Sequence, residues 1–146
     1  MAIKKLDPKA RFRVVAQMDD AIDNNDYEND LSKDRYAKYL DTLDMGVLKF
    51  VGDQKPSVFV VRPLTNLELA DLNGRYLVID AERKTASYRD QVKMFLEMFD
   101  LCCEGMENEE GKIEKVSSGE IPYGVASEIG SIISLIATLG KHAKKA

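Results

Sequence analysis

Residues 88–103 read YRDQVKMFLEMFDLCC, the densest run of large apolar side chains in the sequence. Tyr88, Val92, Phe95, Leu96, Phe99, Cys103 and Met106 recur at steps of three and four. That spacing lines one face of an amphipathic helix, the face that must be buried. The sequence therefore predicts a central core helix over 88–103, with its neighbours packed against it or closing over it.

Immediately upstream, Thr65-Asn66-Leu67-Glu68 has the form of a capping box. The Thr65 hydroxyl can accept from the Glu68 amide while the Glu68 carboxylate returns to the Thr65 amide. Leu69, Leu72, Tyr76 and Ile79 then form a stripe that predicts a helix over 67–83, which either breaks near Thr85-Ala86-Ser87 or runs on with a kink. Gly74 lies inside this helix and weakens it by about 1 kcal/mol relative to Ala. Downstream, residues 104–120 are punctuated by Gly105, Gly111 and Gly119, with Ile113 and Val116 able to make a brief strand. A last helix is predicted from about 121–122 to 139. Its apolar stripe is Val125, Ile129, Ile132, Ile133, Ile136 and Leu139. A second stripe is small: Ser127, Gly130, Ser131, Ser134 and Ala137. Small residues at helical spacing let another helix approach closely. The neighbour is either another core helix or a partner subunit. On the second reading these residues, with Lys141, Lys144 and Lys145 of the basic tail, form the candidate partner-binding set.

The first half of the chain is more mixed. Lys4, Lys5, Lys9, Arg11 and Arg13 make a basic N-terminus. Phe12, Val14 and Val15 favour a strand or extended arm, although Asp7-Pro8 is also a good helix start. Residues 19–34 are strongly acidic, and the central DNNDYEND is rich in turn formers. Asp26, Glu28, Asp30 and Ser32 alternate as in a calcium loop, but Leu31 and Ala37 stand where the central Gly and the bidentate acid belong. A solvated acidic loop is the better reading. Residues 32–43 predict a short helix capped by Ser32, with Tyr36, Tyr39, Leu40 and Leu43 on its apolar face. Two β-rich runs follow, 47–51 (VLKFV) and 57–62 (SVFVVR), around a five-residue Gly/Pro turn, and predict a hairpin. The fold class expected is α+β: a small N-terminal β-hairpin unit followed by a three-helix bundle, in a single domain over 1–146. Its parts are an arm and acidic loop (1–31), a short helix and hairpin (32–64), a helical core (65–139) and a basic tail (140–146).

Chemistry is sparse. The net charge of −4 argues against a general nucleic-acid binder, which needs a basic surface. The sole histidine, His142, lies in the Lys-rich tail, where a general base would lack fixed geometry. No nucleophile elbow, phosphate-binding loop or dinucleotide fingerprint is present. Asp80, Glu82, Glu97 and Asp100 could act as acids or bases, but a solvated helix face explains each. Cys102 and Cys103 are neighbours in sequence, with Cα atoms about 3.8 Å apart, below the usual disulfide range of roughly 4.4–6.8 Å. They read as reduced thiols, with a vicinal redox pair as the alternative. The longest apolar run, 129–139, falls short of the about 20 residues that span a bilayer. The expectation is a non-enzymatic chain without cofactor or metal.

Several short words also carry a resemblance. The opening Met1-Ala2-Ile3-Lys4-Lys5-Leu6-Asp7-Pro8, the run VFVVRPLT (58–65) with Glu68, the run CEGMEN (103–108), Ile121-Pro122, and Glu128-Ile129-Gly130 within an Ile/Leu/Ser-rich helix belong together. Together they resemble small proteins encoded among the head and tail morphogenesis genes of tailed bacteriophages. Some of those are described as tail assembly chaperones and others as virion structural proteins. The resemblance implies a multi-copy protein that works through contacts with phage structural proteins or copies of itself, in the host bacterial cytoplasm or in the virion. It carries over no binding residue. The rival expectation is an acidic module that binds a host factor through residues 19–34.

Overall fold

The computed structural model describes residues 7–23 and 31–138, the side chains of 31–34 excepted. The chain runs β1 (Phe12–Val14), α1 (Leu31–Thr42), a 3-10 turn (Met45–Val47), β2 (Phe59–Val61), α2 (Asn66–Tyr76), β3 (Leu77–Asp80), β4 (Thr85–Tyr88), α3 (Gln91–Cys102), β5 (Cys103–Glu107), β6 (Ile113–Glu114) and α4 (Tyr123–Thr138). An antiparallel sheet in the order β1-β2-β5-β6 is covered by α3 and α4, and β3 and β4 form a separate two-stranded hairpin. The fold is α+β, as the sequence predicts, but strands and helices interleave. The expected order, an N-terminal hairpin followed by a bundle, is corrected.

The correction has a clear cause in residues 47–62. The runs 47–51 and 57–62 do not pair with each other. Residues around Phe50 pair with those around Ile22, through Asp23 N–H to Lys49 O and Val51 N–H to Ala21 O, both at 2.8 Å. β2 instead becomes an inner strand of the sheet, between β1 and β5. Its three residues are all buried, as an inner strand covered on both faces requires. Successive residues divide between two clusters, as strand alternation demands. Val14 and Phe59 join the main core under α3 and α4, while Val15 and Val58 join Tyr36, Tyr39, Ile22 and Leu48 under α1. The Tyr36 hydroxyl donates to Val15 O at 2.9 Å, and the Tyr39 hydroxyl accepts from Val15 N–H at 3.0 Å. Burial pushes both phenols above their ordinary pKa.

A β-bulge shapes the outer face. Val60 pairs with Gly105 and Val61 with Cys103, so Glu104 is the extra residue. Arg11 and Arg13 reach across β2 to Glu104 and Glu107, each at 2.6 Å, and Val60 beneath them is buried. Gly105 has φ +148°, and a Cβ there would stand 2.2 Å from Glu114 O, so no other residue fits.

α3 begins three residues later than the stripe predicts, because Tyr88 belongs to β4. Cys103 and Met106 belong to β5. The buried face of α3 is Met94, Met98, Phe99 and Cys102, with Phe95 and Leu96 half-buried and Val92 exposed. Phe99 meets Phe59 edge-on with ring centroids 5.8 Å apart. Both cysteines are buried and unbridged; burial pushes Cys102 up to about 12 and Cys103 up to about 11. α4 buries the predicted stripe at Ile129, Ile132, Ile133 and Ile136. No helix among the described residues is long and apolar enough to cross a membrane.

Candidate interaction surface

The β3–β4 hairpin is largely exposed, with six of its eight strand residues open to solvent. The predicted helix over 67–83 stops at Tyr76, because Leu77-Val78-Ile79 favours a strand over a further helical turn. Leu77 faces Tyr88, Val78 faces Ser87, Ile79 faces Ala86 and Asp80 faces Thr85. All of β4 is exposed, and Ile79 is 71% exposed. Among the described residues, no third strand pairs with either edge. A two-stranded hairpin is marginal in water unless something packs on it.

The base of the hairpin is held firmly. α2 starts at the predicted capping box: Thr65 Oγ1 accepts from Glu68 N–H at 3.1 Å, and Glu68 Oε1 accepts from Thr65 N–H at 2.9 Å. Arg62 adds a bidentate pair to Glu68, both contacts 2.8 Å, and together with Thr65 it holds the Glu68 carboxyl down at about 2. At the other end of α2, Arg89 donates from Nε and Nη2 to Arg75 O, and its amide donates to Tyr76 O. A cation on the last carbonyls of a helix complements its dipole. The Tyr88 hydroxyl donates to Asn73 Oδ1 at 2.9 Å. The fixed base thus presents a largely uncovered ribbon.

Beside it runs a groove between α2 and α3, lined by Leu67, Glu68, Asp71, Arg75, Glu97, Asp100 and Leu101. The two helices run antiparallel here, with Arg75 bridging Asp71 on its own helix at 2.9 Å and Glu97 on α3 at 2.7 Å. The Tyr76 hydroxyl donates to Glu97 at 2.5 Å. Burial opposes the charge on Glu97, but hydrogen bonds from Tyr76 and Arg75 outweigh it and hold the carboxyl below its usual range; the same contact pushes the Tyr76 phenol up. Leu67, 84% exposed, and Leu101 form apolar lips at the end farthest from the hairpin. Asp100 accepts from the Ser118 amide and hydroxyl.

The residues singled out from the sequence fall differently. Gly130 is buried against α3: a Cβ there would lie 2.0 Å from Phe95 O. The close approach predicted by the small stripe is thus made within the chain. Ala137 packs beside the same core, and Ser134 is half-buried. The Ser127 and Ser131 hydroxyls turn back to Gly124 O and Glu128 O of their own helix. Lys141, Lys144, Lys145 and His142 lie outside the described residues, as do the centre of the acidic window and the Ser32 side chain. At the window's start, Asp19 accepts from Ala21 N–H and Ser57 N–H, and Asp23 pairs with Lys49, so two of its carboxylates brace the fold. The hairpin was hidden from sequence reading because Leu72, Tyr76 and Ile79 keep helical spacing across the helix–strand junction. The signal that could have found it is the alternation of Leu77 with Ile79 and of Ala86 with Tyr88, around a polar Glu-Arg-Lys turn.

No protein-family model matches the chain, and comparison with curated proteins and with solved structures finds no match either.

Proposed function

We propose that this protein acts through protein–protein contacts, as an assembly or structural protein of a tailed phage, with the α2–hairpin–α3 surface as its contact face. The observation that carries the contact reading is the β3–β4 hairpin, a ribbon with a braced base, two edges unpaired among the described residues and an exposed Ile79. Exposed strand edges are ready templates for pairing, and soluble chains that leave them open use them or guard them. This hairpin has no proline or bulge to guard it. The phage setting rests on the resemblance of the short sequence words and on nothing else.

The test is co-purification. The chain is produced together with the structural proteins of the phage that carries its gene, isolated by a tag, and its companions are identified by mass spectrometry. Recovery of a head or tail protein with the wild type, and its loss with Ile79→Asp at unchanged thermal midpoint, supports the reading. Recovery of no structural protein, or equal recovery with both chains, overturns it.

A further inference from the structure

We draw no further inference here: the strongest candidate, the groove between α2 and α3 lined by Leu67, Asp71, Arg75, Glu97 and Leu101, carries nothing because Arg75 is already shared between Asp71 and Glu97 and nothing in the structure shows what covers the groove.

Discussion

Two glycines show how the same residue has opposite value in two helices. Gly130 sits where α4 meets the α3 backbone, and the Cβ of Gly130→Ala would meet Phe95 O at 2.0 Å. The helix-propensity gain of alanine, about 1 kcal/mol, opposes an overpacking cost of typically about 1–3 kcal/mol against an atom that cannot rotate away. The variant is expected to lower the urea midpoint. Gly74 lies on the exposed face of α2 with nothing within 4 Å of its Cβ position. Gly74→Ala is expected to raise stability by about 0.5–1 kcal/mol. Equal responses from the two would show that Gly130 is not a packing residue. The Glu68 carboxyl gives a pH signature. Its folded value of about 2 lies below its ordinary value near 4.5, chiefly through the hydrogen bonds from Arg62. A depressed carboxylate contributes stability above its unfolded pKa and loses it as the pH falls towards the folded one. Stability should therefore decline between about pH 4.5 and 2 more steeply in the wild type than in Glu68→Gln. Parallel acid limbs in urea titrations would show that the Arg62–Glu68 pair does not carry this dependence.

At the scale of elements, the hairpin is the piece least tied to the core. Its Val78, Ile79 and all of β4 are exposed, and the main cluster includes no residue of β3 or β4. Replacing residues 78–87 by a short glycine linker should leave the thermal midpoint within a few degrees of the wild type, because little buried apolar area is lost. A large drop would make the hairpin part of the core. Local signals did show the capped start of α2, the stripe of α4, the Tyr36/Tyr39 face of α1 and the brief strand at Ile113. Each of these is decided by residues within a turn or two of one another. The phase of α3 was not legible. Tyr88, Cys103 and Met106 keep helical spacing with its apolar residues while lying in flanking strands, and the buried Met94 and Met98 fall outside that stripe. Strand partners were not legible either. β2 pairs with segments more than 40 residues away on both sides, and nothing in VFVVR names them.

Across the whole molecule, the sheet, α3 and α4 share one core, α1 closes a second small cluster, and the α2–hairpin–α3 surface carries exposed aliphatic side chains, among them Leu67, Ile79 and Leu101. Of the small stripe on α4, Gly130 packs against α3, and the hairpin lies in a segment whose first half the sequence reads as helix. The hairpin depends on a helix-to-strand junction at Tyr76–Leu77, which the helical spacing of Leu72, Tyr76 and Ile79 conceals. The most direct test of the hairpin surface is amide hydrogen exchange on the chain alone and in the assemblies with which it co-purifies. Opening of a loosely packed hairpin is easy in the free chain, so its amides exchange early. The account predicts that exchange across residues 77–88 slows sharply in the assembly while α4 and β2 are unchanged. Unchanged exchange at 77–88, with protection appearing on another face, would contradict it.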